Sequence, residues 1–372
     1  LKILHVSGVK NWGGGENQIQ VLCREFKNHH PEIQNLILCN QKGWLYRRLE
    51  KTDLKFLAAP LALKIDPRFI LKLITVCNRE KIDLIHLHDP TALSLAVMAD
   101  HFKDLPPFVL SKKTSFPIKQ RKQSLYKYNY PKIRKIFCVS EATRMVCIKS
   151  IKSPEKVLTL YHGIDKDLQG SSKASLNIRE ILKIPSEKKI IGNIANHIRA
   201  KDLHTLIKTA NQLINLENRS DFHFVQIGNF AKERTSLLKV AVKQYGLEEN
   251  FSFLGFRENA SALIPQFDIS IMTSQSEGLP QFIYESFFHK VPVISTSVGG
   301  IPEIITHKSN GLLAEAHDYK KLCENILFLA NNEELIPKFA EISYQKLLEN
   351  FTSVIMAKNT FEEYKKILNE RL

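Results

Sequence analysis

A chain of 372 residues is too long for one ordinary hydrophobic core, so length alone predicts two domains. With 44% hydrophobic and 24% charged residues, it has the composition of a soluble globular protein, which excludes fibrous and disordered classes. The net charge of +15 sits in one half: residues 1–165 carry 28 Lys and Arg against 14 Asp and Glu, and residues 166–372 carry 25 against 24.

The opening "LKILHVSG" reads as a first strand over 2–7, since its apolar run is too short for a signal peptide and leads into a glycine-rich loop. That loop, "NWGGGENQ", opens a helical stretch, "GENQIQVLCREFKNHH". Further short apolar runs at 35–40, 83–88, 107–112 and 135–140 read as strands of a parallel sheet, with helical patterns such as "PRFILKLITVCNREK" between them. The pattern restarts with strands at 188–196, 222–229, 251–256, 267–274 and 291–297, again separated by helices. Two successive series of this kind predict an α/β protein of two Rossmann-like, doubly wound domains. The weakest periodicity, "GIDKDLQGSSKASLN" at 163–177, marks the linker. The expected division is therefore 1–165, 166–350, and a final helix over 351–372 returning toward the first domain. No segment has the roughly 18 uninterrupted apolar residues of a spanning helix. The six cysteines are scattered without a C-x-x-C pair, which predicts buried, reduced thiols in a cytoplasmic protein.

Open α/β sheets bind ligands at the carboxyl ends of their strands, and two such domains facing a cleft would present those ends to one ligand. Candidate chemistry is therefore sought just after strands. In "SQSEGLPQFIYES", 274–286, a strand ends, a turn follows, and Pro280 is suited to the first helical position, where its missing N–H costs nothing. Free backbone N–H groups around Leu279–Phe282 would suit a phosphate. Glu285 lies five residues beyond Pro280, about 7.5 Å along a helix axis, which is about the step from a diphosphate to its ribose. Glu277, on the turn, would lie toward whatever the diphosphate carries. The spacing suits a nucleotide-diphosphate sugar, although glutamates near a helix start also complement its dipole. The next unit, "VPVISTSVGGIPEII", repeats the strand, glycine turn and Pro-opened helix. In "IIGNIANHIRAKDLHTLI", Arg199 and Lys201 fall between a strand and a helix, where two cations can neutralise a diphosphate and its growing charge as it leaves.

In the first half, Gly13, Gly14 and Gly15 permit close approach of a phosphate or sugar, but lack the G-x-G-x-x-G spacing of a dinucleotide fingerprint, so a nicotinamide enzyme is discounted. "DLIHLHDP" puts His86 and His88 on one side of a strand. No third ligand is evident, so no metal site is expected. His88 is placed to hydrogen-bond a sugar hydroxyl. The stretch 111–135 has nine Lys and Arg and no acid, including Lys112, Lys113, Lys119, Arg121, Lys122 and Lys127. It is a solvated face, or a patch for anionic lipid headgroups, phosphorylated substrates or nucleic acid.

These segments together resemble the retaining, nucleotide-sugar-dependent glycosyltransferases of family 4, the glycosyl transferases group 1, with the two-domain GT-B fold. The resemblance runs through "GGGE", "HLHDP", "VSEATR", "HGID", "AKD", "FLGFRE", "SEGLPQFIYES" and "VPVISTSVGGIPEII…NGLLAE". Glu277 and Glu285 match the family's paired glutamates. The resemblance implies catalytic roles for Glu277 and His88 beside the transferred sugar, and ribose binding by Glu285. It implies a diphosphate held by Arg199, Lys201, Gly278, Leu279 and Pro280, with the Gly13–Gly15 loop closing on it. Backbone at Phe256 and Arg257 would line the base pocket. It further implies a UDP- or GDP-sugar donor, no metal or other cofactor, and a metal-independent transfer with retained configuration. Two positions depart from the pattern: Asn196 stands where many members have arginine, and Ser297 where an aspartate often precedes the Val-Gly-Gly turn. The first domain is the acceptor side of this fold, so its charge suggests a lipid-linked or glycan acceptor at an anionic membrane surface, without nucleic acid. The expectation is a cytoplasmic enzyme, peripheral at the inner face of the membrane, in lipopolysaccharide, capsule or glycolipid assembly. The competing readings are an epimerase or phosphorylase on the same fold, and a nucleic-acid-binding protein using the basic half.

Overall fold

The computed structural model describes residues 1–167, 176–228 and 232–369. Most of the expected linker, 168–175, lies outside the described residues, as does Asn229, the last residue of the expected strand 222–229. The chain divides into two compact units, Leu1–Gly163 with Ser353–Leu372, and Ile164–Thr352. All six cysteines are buried free thiols.

The first unit holds a parallel sheet of β1 (Lys2–Ser7), β2 (Gln34–Asn40), β3 (Phe56–Ala59), β4 (Leu84–Leu87), β5 (Phe108–Lys112), β6 (Ile133–Cys138) and β7 (Val157–Thr159). Their order is β3-β2-β1-β4-β5-β6-β7, so the winding reverses between β1 and β4. The period of two decides what each face buries. Leu4, Val6, Ile85 and Leu87 join a core with Phe69, Leu73, Leu93 and Ala96 from helices Pro67–Glu80 and Pro90–Phe102. Ile3, Leu84 and Val109 point the other way, toward Phe26 of helix Gly14–His29 and toward Met356 and Tyr364 of helix Ser353–Asn369. His5 and His86, paired across β1 and β4, alternate onto that second face. The terminal helix thus completes the first core.

Helix starts are set by carboxylates that accept otherwise unpaired N–H groups. Asp66 caps Pro67–Glu80, accepting from Arg68 N. Asp89 caps Pro90–Phe102 through Oδ1, and its Oδ2 accepts from Gly8 N at 2.8 Å, tying the turn after β1 to the end of β4.

The second unit repeats the plan with β8 (Lys189–Ile194), β9 (Phe222–Ile227), β10 (Phe251–Gly255), β11 (Ile269–Met272), β12 (Val293–Thr296) and β13 (Leu312–Ala314). The order β10-β9-β8-β11-β12-β13 reverses between β8 and β11. Strands β3, β7 and β13 were not foreseen; with three or four residues each, they are too short for a periodic signal.

Packing around β8 leaves no room for a side chain at Gly192, where an added Cβ would lie 2.1 Å from the Phe267 ring. Replacing Gly192 by Ala should therefore lower stability by about 1–3 kcal/mol through overpacking. Urea unfolding followed by circular dichroism will read this as a lower midpoint at unchanged slope. An unshifted midpoint would show that Phe267 can move aside freely.

Candidate active site

Most of the predicted residues fall at or just beyond the carboxyl ends of strands beside the reversal of winding in their own unit; Phe256 and Arg257 lie at the sheet edge instead. In the second unit, Arg199–Lys201 form a short turn after β8 and before helix Leu203–Asn211. This turn is stitched to the segment after β11: Gln275 N donates to Ala200 O at 2.9 Å, and Thr273 Oγ1 donates to Lys201 O at 3.2 Å. Lys201 Nζ lies 2.5 Å from Glu277 Oε1, and Ser274 Oγ donates to the same oxygen at 2.6 Å. The Glu277 side chain is only 10% exposed. Two residues predicted from separate motifs are thus one ion pair. Asp202, in left-handed backbone at φ 43°, closes the turn, held by Thr205 Oγ1 and by His317 Nδ1 at 2.6 Å. Arg199 stands exposed beside them.

The turn after Glu277 corrects one expectation. Pro280 is not the first helical residue but the residue before it, in extended backbone at φ −79°, ψ 125°, and the helix is Gln281–Phe288. The buried Ser274, Leu279 and Pro280 leave the turn no freedom to continue helically backward. Gly278 O accepts from Gly300 N at 3.0 Å, so the two glycine turns meet. Glu285 lies in the second turn of that helix, partly buried. Its carboxyl has no partner among the described residues, and burial pushes its pKa up to about 7. Phe256 and Arg257 follow edge strand β10, with β9 between them and β8; Arg257 Nη1 donates to Phe256 O at 2.9 Å.

In the first unit, Gly13 is extended and Gly14 and Gly15 form the first helical turn. Gly15 O accepts from Lys113 Nζ at 2.8 Å. A Cβ at Gly15 would lie 3.2 Å from Lys113 Cδ, so the glycine lets the lysine pass. Burial pushes the Lys113 pKa down to about 8, opposed by Glu16 and Asp89. Burial likewise raises the Glu16 carboxyl, opposed by Lys113.

His88 is 5% exposed, and its ring stacks on His86 with centroids 4.0 Å apart. The third imidazole missing from the sequence pattern is His5, whose Nδ1 lies 3.0 Å from His88 Nε2. One nitrogen from each of His5, His86 and His88 falls within 4.8 Å of the others. These nitrogens are already engaged, His5 with His88 and Asn35, and His86 with Tyr364 and Ser111. A bound ion would have to break those bonds. The period of two on β1, which puts His5 on the face of Ile3, was the available signal; the partner strand was not.

The basic stretch also needs correcting. Lys112 is 6% exposed and its Nζ donates to Thr114 and to Phe116 O, closing the loop after β5. Lys113 turns inward as described. Lys127 donates to Pro90 O and Ser94 Oγ, pinning helix Lys122–Tyr128 to helix Pro90–Phe102. Only Lys119, Arg121 and Lys122 of the six remain on the surface. Charge counting could not separate them, since a lysine beside free carbonyls reads like any other.

Comparison with known proteins follows these lines. Residues 12–168 match the family Glycosyltransferase Family 4, and residues 175–346 match Glycosyl transferases group 1. An N-acetyl-alpha-D-glucosaminyl L-malate synthase of Bacillus anthracis is 23% identical over 288 residues, 76% of this chain and 74% of its own. A UDP-Gal:alpha-D-GlcNAc-diphosphoundecaprenol alpha-1,3-galactosyltransferase of Escherichia coli is 21% identical over 371 residues, 95% of this chain and 94% of its own. The crystal structure of Anabaena HepE with UDP-glucose has the same fold, with a TM-score of 0.85 at 19% identity over 98% of this chain and 99% of its own.

The buried imidazoles make stability pH-dependent. Burial lowers the pKa of His5 to about 4 and of His162 to about 3, and carries His86 and His88 well below the ordinary 6.5. His197, His223, His289 and His307 are lowered too. A depressed histidine contributes stability that is complete above 6.5 and is lost as pH falls toward its folded value, because the unfolded chain takes up the proton first. Glu16 and Glu285, raised by burial, act in the opposite sense but are outnumbered. The melting temperature should fall between about pH 6.5 and 4.5, before ordinary carboxylates titrate. Calorimetry across that range tests it; a melting point that holds or rises on acidification would contradict the neutral cluster.

Proposed function

This chain belongs to the glycosyltransferases of family 4, and on that premise we propose that it moves a sugar from UDP to a lipid-linked acceptor, with retained configuration. The observation that carries the reading is the Lys201–Glu277 pair at the reversal between β8 and β11, followed by the partnerless Glu285 carboxyl in the next helix. An ionised Glu285 accepts two ribose hydroxyls. Lys201 and Arg199 meet the diphosphate, where positive charge stabilises the leaving group as its C1–O bond breaks. Glu277, one oxygen of which is held by Lys201 and Ser274, lies toward the sugar. The acceptor oxygen bonds to C1 from the face the diphosphate leaves, and its proton passes to a departing phosphate oxygen, giving UDP. His88 accepts from a sugar hydroxyl. A uridine donor is supported by the UDP-sugar in the name of the Escherichia coli relative and by the UDP-glucose in the Anabaena structure. A lipid-linked acceptor is supported by the diphosphoundecaprenol of that same relative. None of the helices among the described residues is long and apolar enough to cross a membrane. Surface contact would then rest on Lys119, Arg121 and Lys122, flanked by Phe116 and Tyr126, which are 52% and 54% exposed.

Calorimetric titration with UDP-glucose, UDP-galactose and UDP-N-acetylglucosamine, set beside GDP-mannose, tests the donor. Glu285→Gln should weaken UDP-sugar binding by about 1–3 kcal/mol. In the parent, affinity should drop as pH falls from 8 to 6, through the Glu285 value of about 7, and the variant should lose that dependence. Glu277→Gln should lower turnover more than affinity. Negligible effects of both changes would reduce the turn to a structural element.

Replacing Lys119, Arg121 and Lys122 together by Gln should release the protein from phosphatidylglycerol vesicles, each cation near the surface contributing about 1 kcal/mol. The release should be sharpest at moderate salt, and UDP-sugar affinity should not change. Cosedimentation of the triple variant at the parent's level would remove the membrane surface from this reading.

A further inference from the structure

Three side chains on adjacent strands form a hydrogen-bonded line across the first sheet. Asn35 on β2 places Oδ1 3.0 Å from Nε2 of His5 on β1, and His5 Nδ1 lies 3.0 Å from Nε2 of His88, just past β4. Donor and acceptor roles along this line follow from one end. An amide oxygen only accepts, so His5 Nε2 carries the hydrogen. A neutral imidazole has one N–H, so His5 Nδ1 is bare and accepts. The hydrogen between the two rings therefore belongs to His88 Nε2, and a neutral His88 has its lone pair on Nδ1. Both rings are neutral because burial and the nearby Lys113 charge oppose protonation. Among the described residues nothing bonds to His88 Nδ1.

We infer that Asn35 and His5 are positioning residues that hold His88 as its Nε2–H tautomer, so that it meets substrate solely as a hydrogen-bond acceptor at Nδ1. The inference rests on the reading that His88 touches a sugar hydroxyl, and adds which partner it selects: a group that donates O–H, not an ether or a carbonyl. Reversing the line would set the bare His5 Nε2 against the Asn35 oxygen, two acceptors with no hydrogen between them, which a buried site resists. Turning the His88 ring over is opposed by His86, stacked on it with planes 29° apart and itself held by Tyr364 and Ser111. The second nitrogen of a functional histidine commonly sets the role of the first in this way. Here the setting group is two strands away and carries no charge.

Long-range proton–nitrogen correlation spectra of the full chain, labelled with nitrogen-15 histidine, read the tautomers directly at pH 7.5. His5 and His88 should each be in one form, with the hydrogen on Nε2. Asn35→Leu removes the terminal acceptor, so both rings should lose that single form together, and Asn35→Asp, which still accepts, should restore it. UDP release from UDP-glucose and UDP-N-acetylglucosamine should fall about tenfold in Asn35→Leu, the worth of one oriented hydrogen bond, and recover in Asn35→Asp. A parent His88 with its hydrogen on Nδ1, or tautomers unmoved by Asn35→Leu, overturns the inference. Tautomers that respond as expected while UDP release stays constant leave the line standing, and overturn instead the contact between His88 and the sugar.

Discussion

A lysine and a glutamate 76 residues apart in sequence meet at 2.5 Å where the second sheet reverses its winding, and the candidate site of the second unit is arranged around that contact. A parallel sheet leaves its loops diverging at such a point, and something must hold the gap in shape. Here bonds from the Gln275 backbone and the Thr273 hydroxyl draw the loop after β8 onto the segment after β11, and the ion pair fixes the side chains above them. A partly buried pair of this kind adds little net stability, because desolvation offsets its attraction. Its value lies in position. The pair holds a cation and a carboxylate at the carboxyl end of the sheet, with Ser274 donating to the same carboxylate oxygen.

The first unit meets the same topological problem without an ion pair across the reversal, using one carboxylate and a group of neutral rings. At the reversal between β1 and β4, Asp89 ties the two ends through Gly8, and imidazoles fill the space behind. Burial strips the histidines of charge, and Lys113 keeps it off, so hydrogen-bond direction rather than Coulomb force carries the information. The terminal helix belongs to this arrangement. Tyr364, fully buried, reaches His86 from a segment 278 residues away in sequence, and without it the imidazole stack would have no outer wall.

What was legible in the sequence was what local pattern encodes. Alternating strands and helices announced two doubly wound domains, and glycine turns after strands pointed to the candidate sites. Glu277, Lys201 and Glu285 were singled out by their spacing and by the family resemblance. Contacts between segments were not legible, because nothing in "RAKD" says that its lysine will face the glutamate of "SEGLP". His5 was missed for the same reason: on one strand it is a polar residue in an apolar run, and only the pairing of β1 with β4 makes it a neighbour of His86. The misplacement of Pro280 by one residue was a failure of detail rather than of kind. Both readings give a helix start, but an extended proline ahead of the helix shifts the free N–H groups toward Gln281 and Phe282.

The basic stretch shows why counting charge and locating it are different operations. Nine cations in a row of twenty-five residues read as one surface feature, yet the fold divides them by task. Lys112 donates to carbonyl oxygens of the loop after β5, and Lys127 to Pro90 O and Ser94 Oγ of the neighbouring helix, which is structural work a long flexible donor does well. Lys113 crosses to the glycine turn and sets the field around the histidines. What remains outside is a smaller group, Lys119, Arg121 and Lys122, close in sequence to exposed aromatic rings, with Arg134 further along. A lysine that satisfies an acceptor inside the fold is no longer offered to a partner, so the inward turn of Lys112, Lys113 and Lys127 leaves a smaller charged surface than the count of the sequence implies.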